Sequence, residues 1–201
     1  YGLGLAAQAY YGNASVAVGA AGTVNVTSGF VGIGIAAGSE YGIATADNAG
    51  AIVVDATDGM GAIGVLAQGD EAISHNAEAG SITVHGGDWA IGMLSEGITT
   101  AEATNDGTIT VEQVGSGQSY VPLFTPQNYT ATGIVAYAYD GDAHATNNGD
   151  VSVSGTEQAT GIQAIALGSG HTATVDNTGT ITATGTGATG IQAQGDHVVA
   201  T

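Results

Sequence analysis

Residues Asn177–Ala193 read N-T-G-T-I-T-A-T-G-T-G-A-T-G-I-Q-A. Two strand-length pieces, T-I-T-A and G-I-Q-A, alternate apolar with polar or small residues, the pattern of a strand with one buried face. The N-x-G before them is turn chemistry, because Asn and Gly both tolerate the left-handed backbone of a sharp corner.

The same pieces recur along the whole chain in the same order. A G-I-x-A-like block is led by Leu3, Ile33, Ile63, Ile91, Ile134, Ile162 and Ile191, at separations of 30, 30, 28, 43, 28 and 29 residues. Turn glycines follow at Gly22, Gly50, Gly80, Gly107, Gly149 and Gly179, spaced 28, 30, 27, 42 and 30. Directly after them come TVNV, AIVV, SITV, TITV, DVSV and TITA. Both anchors give one period and share one long gap, which predicts six nearly full repeats and the start of a seventh.

Alternation assigns inward faces. After the turn these are Val24/Val26, Ile52/Val54, Ile82/Val84, Ile109/Val111, Val151/Val153 and Ile181/Ala183. Before it they are Val16/Val18, Ala44/Ala46, Ala101/Ala103, Ala143/Ala145 and Ala173/Val175. In the leading block they include Ile33/Ile35, Ile63/Val65, Ile91/Met93, Ile134/Ala136 and Ile162/Ala164. One repeat cannot bury three such faces alone, whereas a repeat stacked on each side can. The expected fold is all-β: a right-handed parallel β-helix of about seven coils, each of roughly 29 residues with three short strands. At ~4.8 Å per coil it extends roughly 30 Å. Asn48, Asn105, Asn147 and Asn177 precede the turn glycine by two residues and are placed to stack. The third repeat departs from this, with Glu78 in that slot and Asn76 nearby.

Composition removes several functions. The chain of 201 residues has no Lys, Arg or Cys, and its 18 acidic residues give a formal net charge of −18. An ordinary domain of this length carries roughly 20 basic residues. Nucleic acid and anionic membrane surfaces are therefore excluded as partners. Lys- or Arg-based catalysis, thiol chemistry and disulfides are excluded as well. No apolar run is long enough for a spanning helix. With no initiating Met and no signal-like n-region, the window reads as part of a longer precursor.

The N-x-G-x-I-x-A-x-G pattern of Asn177–Gly185, followed by A-T-G-I-x-A at Ala188–Ala193, resembles autotransporter passenger domains and haemagglutinin-like exoproteins of Gram-negative bacteria. The resemblance covers nearly the whole chain except Gln113–Thr130. It implies export through the outer membrane, folding outside, and a place on the cell surface. It carries over no catalytic residue, since the shared positions are structural.

The long gap is an insertion at about 113–130, holding Pro122 and Pro126 together with Tyr120, Leu123, Phe124 and Tyr129. Loops on rigid scaffolds often carry function, and Tyr/Phe clusters are typical of binding hot spots. Alternation also puts Leu66, Leu94, Val135, Tyr137, Tyr139, Ile165 and Leu167 on the outside of coils three to six. An exposed apolar stripe of that size predicts a partner or a cover. Insertion and stripe together are the expected contact surface, either a sealed flap or an adhesive patch.

Other candidates are thinner. Asp140 and Asp142 in Y-D-G-D-A have a slight look of a calcium loop, without a full EF-hand or G-G-x-G-x-D repeat. His75, His85, His144, His171 and His197 form no compact zinc motif and read as surface residues. Thr108/Thr110 and Thr180/Thr182 could start an ice-binding array, but Ala51/Val53, Asp150/Ser152 and Thr23/Asn25 interrupt it. Catalysis on polysaccharide would need paired carboxylates, and the acids are scattered. The expectation is a non-enzymatic, extracellular rod segment. It contacts a host or neighbouring cell surface, or itself, end to end or side by side; a polysaccharide-acting β-helix is the alternative.

Overall fold

Each repeat folds as three strands meeting at corners, and equivalent strands pair in parallel from coil to coil. The structure, a computed structural model, describes residues 1–115 and 130–201. The first wall is β1 (Gly2–Ala9), β4 (Val31–Ser39), β7 (Gly61–Asn76), β9 (Trp89–Asn105), β11 (Ala131–Ala138), β14 (Gln158–Ala166) and β17 (Gly187–Gln194), in that order. The second wall stacks β2 (Ala14–Val18), β5 (Ile43–Asn48), the later halves of β7 and β9, then β12 (Asp142–Asn147), β15 (Thr172–Asn177) and β18 (His197–Ala200). The third wall is β3 (Thr23–Thr27), β6 (Ala51–Ala56), β8 (Ser81–Gly86), β10 (Thr108–Gln113), β13 (Asp150–Ser154) and β16 (Thr180–Thr184). Six coils are complete, and the first two walls of another follow. The described residues contain no helix.

The interior is narrow. Ala and Val from the second wall face Ile and Val from the third in one continuous cluster that runs from Val16 to Val175. The inward pairs read from the sequence on these two walls all belong to it or pack against it. Stacking explains the cooperativity of such a unit: each apolar side chain is closed above and below by the next coil.

The first wall departs from simple alternation. Ala62 and Val65 belong to the interior cluster, yet Ile63 and Leu66 lie in a second cluster on the opposite face. The intervening glycine causes this. A Cβ on Gly64 would lie 2.4 Å from Ile82 Cγ2, and one on Gly92 would lie 2.5 Å from Ile109 Cγ2. Here the first wall approaches the third so closely that only glycine fits, and glycine and the residue after it both face inward. The register follows that glycine. Ile91 pairs with Thr132, and Met93 pairs with Ile134. Ile33, Ile63 and Ile91 are therefore not the equivalents of Ile134, Ile162 and Ile191, as their shared type suggested; they face outward, two positions earlier.

The asparagine column is more regular than expected. Asn48, Asn76, Asn105, Asn147 and Asn177 form one unbroken ladder, with Nδ2-to-Oδ1 distances of 2.8, 2.7, 2.8 and 2.8 Å. Asn76, not Glu78, fills the rung of the third coil; its turn to Gly80 is two residues longer, and Asn76 Nδ2 still reaches the Gly80 carbonyl. In the first coil Val18 stands in the slot and pairs with Asn48.

Candidate functional site

The outer face of the first wall carries whatever the coils present side by side. One column along it is Gln8, Gly38, Gln68, Glu96, Tyr137, Ile165 and Gln194, each paired in register with the next. Its character changes from polar at the early coils to apolar in the middle ones, and the two halves behave differently.

The apolar half is closed. Leu94, Val135, Tyr137 and Ile165 are fully buried, and Leu66 nearly so, in a cluster with Ile63, Trp89 and Ile91. Tyr139 and Leu167 are partly buried against it, with the Tyr137 and Tyr139 rings edge to face at 4.8 Å. The stripe, expected to be either sealed or adhesive, is thus a second hydrophobic core. Burial raises the ionisation of both tyrosines above the ordinary phenol range, and the nearby Glu96 raises it further. Two buried polar atoms here, Trp89 Nε1 and Tyr137 Oη, have no hydrogen-bond partner among the described residues. Tyr120, Leu123, Phe124 and Tyr129 of the insertion lie outside the described residues.

The polar half is open. Ser39, Glu40, Gln68, Gly69, Glu96, Ile98 and Tyr139 line a cleft of about 570 Å³. A second hollow of about 340 Å³, lined by Gln8, Ala9, Tyr10, Gly38 and Glu40, continues it toward the first coil, with Glu40 shared by both. From Tyr10 in coil one to Tyr139 in coil five the depression covers about 19 Å of axis. Gly38 matters because it is the one position in the early column without a side chain. A Cβ there would make only ordinary contact, 3.7 Å from Gln8 Cγ.

Glu96 is the chemically distinctive residue of this cleft. It is 96% buried (4% exposed) and accepts a hydrogen bond from Gln68 Nε2 through Oε2, and its Oε1 has no partner among the described residues. Desolvation pushes its carboxyl above the usual carboxylate range, and the Gln68 amide opposes this more weakly. Beside the second hollow, which Tyr10 lines, Tyr10, Tyr11 and Tyr41 make an exposed cluster. Tyr11 and Tyr41 stack at 5.5 Å, and Tyr10 stands edge-on to both at 4.5 and 5.5 Å. Alternation alone does not reveal this site. The signal was in the column: Gln8, Gly38, Gln68 and Glu96 recur at 30, 30 and 28 residues.

The remaining candidates resolve into local contacts. Asp140 and Asp142 flank His171, at 3.4 Å from Nε2 and 3.8 Å from Nδ1, and Asp142 accepts the Thr172 amide at 2.7 Å. His75 meets Asp106 at 2.9 Å, His85 meets Glu112 at 3.1 Å and His144 meets Asp176 at 3.0 Å. Each pair bridges different coils. Among the described residues no group of three or more His, Asp or Glu side chains is arranged to hold a metal ion.

Comparison with known proteins agrees with this architecture. Neither curated proteins nor solved structures yield a match. Residues 1–200 match the family model described as the BigA third pectate lyase-like domain. A coil stack that accounts for every described strand, and a match over essentially its full length, lead to one conclusion: the chain belongs to the family of the BigA third pectate lyase-like domain.

Proposed function

We propose that this domain is a non-enzymatic rod segment of a bacterial surface protein, which holds a lateral contact surface away from the cell. BigA is an autotransporter-like bacterial surface protein, and a passenger region exposed on the outer membrane of a Gram-negative cell suits the same role. The observation that carries the reading is the coil stack itself. A continuous core and an asparagine ladder run along one axis, giving a stiff spacer whose side walls repeat. The absence of Lys and Arg supports a non-catalytic role, because a pectate-type substrate is anionic and the chain, at −18, repels it.

The partner in this reading is a host or neighbouring cell surface, or a second copy of the domain. The open cleft with its tyrosines supplies one contact region. Tyr120, Leu123, Phe124 and Tyr129 supply another on sequence grounds, and deletion of Ser116–Gln127 tests the share of the first three. The test is adhesion of beads coated with the chain to cells, alongside light scattering for self-association and an assay for new reducing ends on polysaccharides. Adhesion or self-association without turnover is expected. Release of reducing ends would replace this reading with an enzymatic one, for which Glu40 and Glu96, both lining the cleft, are the acids to substitute first.

A further inference from the structure

We infer that the groove from Tyr10 to Glu96 is a binding site for an uncharged oligosaccharide, with Tyr10, Tyr11 and Tyr41 as the stacking platform and Glu96 and Gln68 as the polar floor. This names a ligand class for the contact surface proposed above and rests on that reading.

Two independent observations point to a ligand. The first is Glu96, a cleft-lining side chain more than nine-tenths buried, whose Oε1 has no partner among the described residues. Leaving such an atom unsatisfied is costly, and rotation of the carboxyl toward the cleft would bring it to a ligand hydroxyl. The second is the tyrosine cluster. Tyr11 is 81% exposed and Tyr41 54%, and rings of this size normally find cover or a partner. Packed against one another, they present a pre-ordered apolar surface with polar tips.

The ligand's chemistry follows from the mixture. A sugar ring offers an apolar C–H face to an aromatic plane and a rim of hydroxyls to amide and carboxyl groups. Gln8, Glu40, Gln68 and Glu96 provide that second kind of partner along the groove. Charge selects among sugars. With no Lys or Arg and a net charge of −18, the chain has no cation to meet a uronate, sulfate or phosphate, so polyanionic glycans are disfavoured. The groove length suits an extended chain, and bare Gly38 keeps its floor open where the column would otherwise carry a side chain.

The experiment is isothermal titration of the chain with neutral hexasaccharides of glucose, mannose and galactose, and with hexagalacturonate. Two variants accompany it: Tyr41→Ala removes part of the platform, and Gly38→Gln fills the floor with the side chain its column neighbours carry. Binding of at least one neutral hexasaccharide is expected, weakened about tenfold by either variant, with unchanged circular dichroism. The inference is overturned if no neutral hexasaccharide binds, if both variants bind as the parent does, or if only hexagalacturonate binds. Bead adhesion separates the two proposals. Adhesion that excess neutral saccharide does not inhibit overturns the ligand class and leaves the adhesive reading standing. Loss of adhesion with saccharide binding intact does the reverse.

Discussion

Asn76 Nδ2 donates to Asn105 Oδ1 at 2.7 Å, and Asn76 Oδ1 accepts from Asn48 Nδ2 at 2.8 Å. Both flanking asparagines are essentially fully buried, and each amide bonds both to its own turn backbone and to amides in the neighbouring coils.

Asn76→Ala therefore takes the ladder partner from one Asn48 N–H, whose other contacts are the Gly50 and Ser81 carbonyls, and from Asn105 Oδ1, in a dry interior. The expected loss is about 1–3 kcal/mol for each group left unpaired. Asn177→Ala, at the end of the described ladder, strands only one neighbour and should cost less. Guanidinium unfolding followed by circular dichroism checks the order; equal losses at the two positions would mean that the ladder adds nothing beyond local turn bonding.

Gly92→Ala should destabilise by about 1–3 kcal/mol, because its new Cβ meets Ile109 Cγ2 at 2.5 Å and the Gly133 carbonyl oxygen, also at 2.5 Å. Gly29→Ala is the control: a Cβ there meets nothing within 4 Å. Its effect should stay within about 0.5 kcal/mol. Thermal melts of the two variants measure the contrast.

Trp89, the single tryptophan, is fully buried in the outer cluster. Its fluorescence should be blue-shifted and resist acrylamide quenching until the coil stack unfolds. Trp89→Ala should cost about 3–5 kcal/mol. Free quenching in the folded protein would restore the exposed stripe that alternation alone predicted.

Burial of Glu96 gives stability a pH dependence. Its folded carboxyl titrates above its unfolded value of about 4.3, so the folded state holds this proton more tightly. The contribution is fully present below about pH 4.3 and declines as pH rises toward the folded value. Glu96→Gln removes this decline, so its melting temperature should gain on the parent's as pH is raised from about 4 to 7. Asp106 works in the opposite sense. The Asn148 amide and then His75 hold its carboxyl below the usual range, a contribution lost as pH falls through the folded value. Melts of parent and variant across this range test the difference, to which Asp106 contributes equally in both.

Stacking was legible because it repeats. The third-wall pairs, such as Ile109/Val111 over Ile82/Val84, stand in the chain at one period, and no other fold buries them all. Four of the five rungs of the asparagine ladder could be named for the same reason, and the fifth, Asn76, was hidden by a longer turn. Ile63 and Ile91 were misassigned because the apolar residues flanking each glycine, Ile63/Val65 and Ile91/Met93, look alike to a period-two rule. Which one faces inward depends on how near the third wall comes.

The amino-acid sequence by itself determined the axis, the period, the three walls and the absence of cations, since each is a property of residue types at fixed spacing. Only the tertiary structure decided that Leu94 and Tyr137 are covered while Tyr11 and Tyr41 are not, and that Glu96 is buried with an oxygen to spare. Burial depends on what lies across a wall or against its outer face, and neighbours distant in the chain supply that, which no local pattern encodes.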